Sequence, residues 1–495
     1  MFYGRQCQFD QLERLLRKQV GSFVTCRGRR RVGKSTLIEK FALDHGARFI
    51  KLEGVKPKPT YSNEHELRVF AEQLAVATGA ESTTPSNWLN AFIRLDREIR
   101  DEGWTVVLLD EIAWFGYYDP MFSDTLRIAW ENHWRKHDRL IVVACGSVSS
   151  WIKDNIIDNK AFRGRRSLDM VVPELPIAEC VKFWGDRVSR IAPTEIIDVL
   201  SVTGGVPMYL QEIDPAASAD ENIRQLAYSP NSVLRVDFDD MFSDVVTEQP
   251  LFTGKVLRTL VGGPQTATEI SATLGLEKGG RISDALERLA EAGLVAPDAG
   301  INPETGAKVR ERRYRLRDNY TRYYLKFVEP VKDMIDSGAY RFVSLSHQDG
   351  WDTIMGLAFE NLVVNNTSEL IDHLHLGGSL ITSAAPYRKI GSKNRGNGFQ
   401  IDLLVQTAGS MCLTEIKRQK KIGKEIIAEV DAKVRKISRP EGVSIRTALV
   451  YEGELSSVVE ANGYFDALVP FSRLMGCHVP VAASPCRAEL ERTMS

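Results

Sequence analysis

Up to about residue 170 the chain alternates short apolar runs with amphipathic stretches. The runs Ser22–Arg27, Arg48–Leu52, Thr105–Leu109, Leu140–Cys145 and Leu168–Val172 read as strands. VVLL and IVVA are apolar without alternation, as strands covered on both faces of a parallel sheet must be. Helical stretches between them predict a doubly wound α/β sheet. From about Pro173 to Phe242 the pattern turns helical, broken by TGGVPMYL at 203–210. Residues 250–330 read as three helices (KVLRTL, TATEISATLGL, RISDALERLAEAGLV) and then two extended arms around the turn PDAGINPETG. That order is a helix-turn-helix followed by a hairpin wing. A fourth segment opens near Trp351 with the helix IMGLAFENLVVNN. It continues through the hairpin QIDLLVQ–TAGS–MCLTEIK, a helix from about Lys424 to Ile437 and a strand at Thr447–Tyr451.

A length of 495 residues predicts about three domains. Hydrophobic residues make up 43% and charged ones 26%, which excludes collagen-like, mucin-like and mostly disordered chains. Lys and Arg number 64 against 65 Asp and Glu, so coating of nucleic acid by bulk positive charge is excluded, though local basic patches are not. The seven Cys are scattered, with no C-x-x-C, which fits neither a disulfide framework nor a zinc ribbon. No apolar run reaches the length of a membrane span, and the start lacks a signal peptide's apolar core. The expectation is a cytoplasmic protein with no membrane partner.

Gly28-Arg29-Arg30-Arg31-Val32-Gly33-Lys34-Ser35 fits G-x-x-x-x-G-K-[ST] between a strand and a helix, the context that motif requires. Its glycines let backbone N–H groups of Gly28, Arg29, Arg31, Val32 and Gly33 curl around phosphates, and Thr36 follows at the helix N-terminus. Lys34 is expected to reach the β- and γ-phosphates, and Ser35 to hold Mg²⁺. The strand VVLL ends in Asp110 and Glu111. Asp110 suits Mg²⁺, and Glu111 is placed to polarise an attacking water. ATP and Mg²⁺ are the expected cofactors.

GRRRVGKS, LLDE, the opening FYGRQCQFDQLERL and GGVPMYL together resemble the archaeal-type ATPases of the AAA+/STAND group, over most of the first 330 residues. The resemblance implies a sheet of the additional-strand type, a helical lid and a winged helix. It also implies that Ser147 is a polar sensor at the nucleotide and that Arg165 is an arginine finger or a phosphate-sensing residue, with Arg163 and Arg166 as neighbouring candidates. Gly205 and Pro207 match the lid turn, and Tyr3-Gly4-Arg5 match the box beside the nucleotide base.

In the fourth segment Asp402 lies in QIDLLV and Glu415-Ile416-Lys417 in CLTEIK. Residues two apart share a strand face, so Glu415 and Lys417 project together, and hairpin pairing brings Asp402 beside them. Glu360, in the apolar helix GLAFENLVV, is costly to bury without a partner and completes the set. Two or three carboxylates and a Lys suit a divalent ion and a hydrolytic water. This constellation resembles the PD-(D/E)xK nuclease superfamily, in the form fused behind archaeal-type ATPases. The resemblance implies Glu360, Asp402 and Glu415 as ligands for Mg²⁺ or Mn²⁺ and Lys417 as a catalytic group. The bland reading is a surface hairpin carrying an i,i+2 salt bridge.

The runs RKIGSKNR at 388–395 and KRQKKIGK at 417–424 flank these acids and suit phosphate contact, or simply a solvated loop. The arm KVRERRYRLR, with Lys308, Arg310, Arg312, Arg313, Arg315 and Arg317, suits a phosphate backbone, while some of its arginines are expected to pair with neighbouring acids or pack against the fourth segment. The helix RISDALERLAEAGL carries Asp284, Glu287 and Glu291 beside Arg281 and Arg288, which disfavours sequence readout in a major groove. DNYTRYYLKF reads as an aromatic packing helix. His133 with His137, and His373 with His375 on one strand face, lack further ligands and are not assigned to metal.

The expected fold class is therefore α/β, with a P-loop NTPase parallel sheet and helical lid, a winged-helix domain and an α/β restriction-endonuclease-like domain. The expected boundaries are 1–172, 173–245, 246–330, 345–475 and a tail at 476–495. The expected function is ATP hydrolysis coupled to a Mg²⁺-dependent nuclease-like domain acting on DNA, in a chain that also suits a homo-oligomer. The rival is a signalling ATPase whose last domain is an inactive DNA- or partner-binding module. A transcriptional regulator would need a sequence-selective footprint.

Overall fold

Five apolar runs of the first segment become five strands: β1 (Ser22–Arg27), β2 (Arg48–Glu53), β3 (Thr105–Asp110), β4 (Leu140–Gly146) and β5 (Leu168–Val171). The computed structural model describes residues 2–100, 102–147, 149–245, 250–277, 279–298, 300–309, 312–338, 340, 344–389 and 398–478. Arg310, most of the run at 388–395 and nearly all of the tail lie outside the described residues.

All four pairings of the first sheet are parallel, in the order β2-β3-β4-β1-β5. One strand, β4, thus separates the strand entering the phosphate loop from the one ending in Asp110. Every residue of β3 and β4 is buried, which explains their unbroken apolar runs. The helices Lys34–Asp44 and Gln6–Lys18 cover one face through Leu12, Leu15, Leu37 and Phe41. Helices Asn63–Thr78, Trp88–Glu98 and Phe122–Asn132 cover the other, with an aromatic cluster of Phe70, Trp88, Phe92, Phe115 and Phe122. The strand ends carrying Gly28, Asp110 and Ser147 share one edge, where α/β sheets place ligands.

The chain then turns helical. Helices Pro193–Thr203 and Pro207–Leu210 bracket the Gly204-Gly205 turn, and helices Ala219–Ala227 and Val233–Val245 follow. A Cβ on Gly205 would come 2.2 Å from the Leu175 carbonyl oxygen, so only glycine fits that close approach. Next come helix Pro250–Thr259, the two-residue strand β6 (Gln265–Thr266), and helices Ala267–Thr273 and Gly280–Glu291. A hairpin of β7 (Val295–Asp298) and β8 (Arg313–Leu316) closes the segment. The small sheet is antiparallel, in the order β6-β8-β7. Helix Asn319–Tyr323 and its one-turn π-helical extension bury Tyr320, Tyr323, Tyr324 and Phe327, the aromatic packing the sequence suggests.

The last segment sets helix Trp351–Asn365 before a mixed sheet of β9 (Ile381–Lys389), β10 (Phe399–Thr407), β11 (Ser410–Ile422), β12 (Ser444–Leu455) and β13 (Ala467–Pro470). Strands β9, β10 and β11 pair antiparallel. Strands β11, β12 and β13 pair parallel, with helix Glu425–Lys436 as the crossover between β11 and β12. One continuous apolar cluster runs from Leu175 through Leu286 and Leu316 to Leu403 and Val450 of this sheet. This cluster joins the segments after residue 172, while two smaller apolar clusters of the last segment stand apart from it. No strand forms at His373 and His375; they lie in turns, and His375 adopts φ 53°.

Candidate functional site

The loop after β1 curls as its glycines permit. Gly28 has φ 153°, and a Cβ there would strike the Val172 carbonyl oxygen at 2.3 Å; Gly33 has φ 84°. Val32, Gly33, Lys34, Ser35 and Thr36 line a cavity of about 390 Å³ together with Asp110 and Glu111. Phe2, Tyr3, Arg5, Pro207 and Met208 form another wall, so the opening box and the lid turn meet at the pocket. Lys34 Nζ donates to the carbonyls of Gly28 (3.0 Å) and Arg29 (3.1 Å). Ser35 Oγ donates to Asp110 Oδ2 at 2.6 Å. A hydroxyl and a carboxylate side by side are the hard oxygen donors Mg²⁺ takes, so these residues fit that ion.

Glu111 adopts the left-handed conformation, φ 47° and ψ 49°, which is uncommon for a residue with a side chain. Its Oε2 accepts from the Ser147 amide (3.2 Å) and hydroxyl (2.9 Å). Ser147, at the end of β4, thus holds the glutamate at the end of the neighbouring β3 and does not itself line the cavity. Lys51 on β2, unremarked in the sequence, also lines the pocket and lies 3.4 Å from Asp110 Oδ2.

Two arginine side chains of the loop are engaged by acids of later segments. Arg29 is 4% exposed and pairs with Asp318 Oδ2 at 2.9 Å, and its guanidinium lies over the rings of Tyr209 and Tyr320. Burial opposes its charge, but Asp318 and its other neighbours outweigh that and hold it charged. Arg31 lines the pocket, yet its Nε donates to Asp237 Oδ1 at 2.9 Å, and Asp237 Oδ2 accepts from Tyr209 at 2.6 Å. The Arg29 side chain thus joins the phosphate loop to the segment after the β7–β8 hairpin, leaving its backbone N–H in the loop. Arg165 is likewise engaged within the chain, by Glu131 and by the Ala161 carbonyl at 2.6 Å, and does not line the pocket. That placement does not suit a finger acting in cis.

The second constellation does converge. The β10–β11 register pairs Leu403 with Thr414, so Asp402 and Glu415 stand one step further along, facing each other. Asp402 Oδ2 accepts from the Ile416 amide at 2.9 Å. Glu415 is 3% exposed and is held by Lys417 Nζ at 3.0 Å and Lys433 Nζ at 2.5 Å. Burial, and then the charge of Glu360, push Asp402 up to about 6. Burial, and then Asp402, push Glu415 up to about 7. Burial also raises Glu360, although Arg315 and Arg322 pull it the other way.

Glu429 and Lys433 are the residues the sequence reading missed. They sit one turn apart on helix Glu425–Lys436; Glu429 bonds Lys417 at 3.1 Å, and Lys433 bonds Glu415. The metal expectation is corrected in one respect. Among the described residues no three His, Cys, Asp or Glu side chains gather closely enough to hold an ion. Two ammonium groups occupy the space about Glu415 instead.

Arg315 is one of the arm's arginines that pair with an acid and pack against the last segment, and it is buried at the seam. It donates to Asn361 (2.7 Å) and Asn365 (2.9 Å) on the helix that carries Glu360, and to Asp298 at 3.2 Å. On helix Gly280–Glu291, Glu291 takes Lys153 at 2.6 Å, so the C-terminal end of that helix faces the first sheet's domain. His137 bonds Asp96 at 2.9 Å, a packing role.

No protein-family model matches the chain. An uncharacterised protein of Methanocaldococcus jannaschii is 20% identical over 374 residues, covering 75% of this chain and 78% of its own. Among solved structures, a Walker-type ATPase of Pyrococcus abyssi superposes with a TM-score of 0.51 at 14% identity, over 66% of this chain and 96% of its own. That likeness, with the parallel five-stranded sheet and its phosphate loop, shows the P-loop ATPase fold. Among the described residues no helix is long and apolar enough to cross a membrane.

Proposed function

We propose that this chain hydrolyses ATP at the first pocket and cuts DNA at the second, the nucleotide state being passed between them. The observation that carries the ATP half is the meeting of Lys34, Ser35, Asp110 and Glu111 about one cavity at the end of a parallel sheet. Lys34 leaves the loop carbonyls for the phosphates, and Glu111, freed from Ser147, orients the attacking water. Ser35 and Asp110 would hold Mg²⁺, which neutralises phosphate charge. Arg165 or the exposed Arg163 of a neighbouring copy stabilises charge on the γ-phosphate, which calls for a homo-oligomer.

The DNA half rests on Asp402, Glu415 and Lys417 at the junction of β10 and β11, with Glu360 beside them. The order of elements from 250 to 330 fits a winged helix, and helix–sheet–helix order after 351 fits the PD-(D/E)xK fold. Asp402 and Glu415, without Glu360, would hold a divalent cation once Lys417 and Lys433 give way, and the ion would supply charge neutralisation and a lower water pKa. Lys417 steadies the phosphate or the nucleophile. The link runs from Arg29 through Asp318 to Asn319, whose amide donates to the Ala358 carbonyl of the Glu360 helix at 3.0 Å.

The capture of Glu415 by two lysines favours one second reading, in which the last domain binds DNA or a partner without cutting. Incubating the protein with plasmid and single-stranded circular DNA, with Mg²⁺ or Mn²⁺ and with or without ATP, separates the two. Cleavage that Asp402→Ala removes supports the first; intact DNA beside normal ATP turnover supports the second.

A further inference from the structure

We infer that Lys51 is the resident cation of the Mg²⁺ seat in the first pocket, so that this pocket takes a nucleoside triphosphate free of divalent metal as well as its Mg²⁺ complex. The inference rests on the ATP reading of that pocket. Lys51 and Glu53 lie two apart on β2, the edge strand beside β3, and share one face, while Ile50 and Leu52 are wholly buried on the other. Both Lys51 and Glu53 line the cavity. In the parallel register Lys51 stands opposite Leu108 and Glu53 opposite Asp110. The Lys51 ammonium is thereby set between two acids, 2.8 Å from Glu53 Oε2 and 3.4 Å from Asp110 Oδ2.

Asp110 Oδ2 is also the oxygen that Ser35 Oγ bonds at 2.6 Å, and Asp110 Oδ1 already accepts from the Glu111 amide at 3.1 Å. Lys51 therefore stands on the one carboxylate oxygen that a Mg²⁺ held by Ser35 and Asp110 needs. It yields that oxygen by withdrawing to Glu53, which already holds it. Other cations of the same wall are turned elsewhere: Lys34 to the carbonyls of Gly28 and Arg29, Arg5 to those of Pro173 and Val32, and Arg31 to Asp237. Without a divalent ion Lys51 supplies positive charge beside a triphosphate. With one, the two like charges repel and Lys51 adds little. Its presence thus makes triphosphate binding less dependent on metal.

The test is equilibrium binding of a fluorescent, non-hydrolysable ATP analogue to the full chain, in EDTA and in saturating Mg²⁺. The quantity read is the ratio of the two dissociation constants, which a general loosening of the pocket leaves alone. Wild type is expected to bind in both conditions. Lys51→Met is expected to weaken binding in EDTA by about tenfold, near the smaller end of what a unit charge at this range supplies beside a protein surface. In Mg²⁺ its affinity is expected to stay at the wild-type level, so the ratio rises by that same factor. Lys51→Arg, which keeps the charge, is expected to restore the wild-type ratio. An unchanged ratio in Lys51→Met, or a wild type that binds only with Mg²⁺, overturns the inference and leaves the ATP reading standing. A wild type that binds the analogue in neither condition sinks both.

Discussion

Arg29, inside the phosphate loop, is ion-paired at 2.9 Å to Asp318, a residue 289 positions further along the chain, and both are almost wholly buried. Asp318 also caps helix Asn319–Tyr323 by accepting from the Thr321 amide at 3.1 Å. The pair thereby ties the phosphate loop to the helix that lies against the Glu360 helix.

Asp318→Ala leaves a guanidinium buried against Tyr209 and Tyr320 without its anion. Removing one partner of a buried pair costs about 3–5 kcal/mol. Denaturant unfolding is expected to show that loss, and nucleotide affinity is expected to fall with it. Wild-type stability in the variant would remove the pair from any role in joining the segments.

Glu111→Gln keeps the hydrogen-bonding shape at Ser147 but cannot act as a base. ATP binding is expected to persist while turnover falls by about 10²–10⁴-fold, the usual range for a general base. Equilibrium binding of a fluorescent ATP analogue beside a phosphate-release assay checks this. Turnover near wild type would move the base elsewhere.

The buried acids give a pH dependence of definite sign. Asp402 and Glu415 keep their protons to about 6 and about 7 in the folded chain, against about 4 in an unfolded one. The stability they confer is present at low pH and is lost as pH rises from about 4 through those values. A divalent cation needs the ionised forms, so Mn²⁺ affinity, followed by electron paramagnetic resonance with Asp110→Ala to silence the first site, is expected to rise between pH 5.5 and 8. A flat profile contradicts the assignment.

Lys433→Gln removes a cation that favours ionised Glu415. The Mn²⁺ profile is expected to move to higher pH by about one unit, the lower end of what an adjacent opposite charge does. If the midpoint stays put, Lys433 serves only to pack its helix.

Much of this was legible in the chain itself. The strand Ser22–Arg27 matches β1 in both bounds, because an apolar run ending at Gly28 has one sensible reading. Asp402 and Glu415 meet because the two-residue periodicity of strands leaves a hairpin little choice. Strand β9, ITSAAPYRK, was not legible: it has no apolar run and most of its residues are only half-buried. Lys433 and Glu429 belong to a helix whose charges look like an ordinary solvated face. That the Arg29 side chain reaches Asp318, and which arginines of the arm find acids, is not legible, because those partners come near only after folding.

ATP hydrolysis and DNA cleavage measured side by side, for wild type, Lys34→Ala and Asp402→Ala with Mg²⁺ or Mn²⁺, test the two-site account most directly. The expected pattern is loss of ATP turnover in Lys34→Ala, and loss of cleavage with unchanged ATP turnover in Asp402→Ala. A wild-type protein that turns over ATP yet leaves both single-stranded and duplex DNA intact contradicts it.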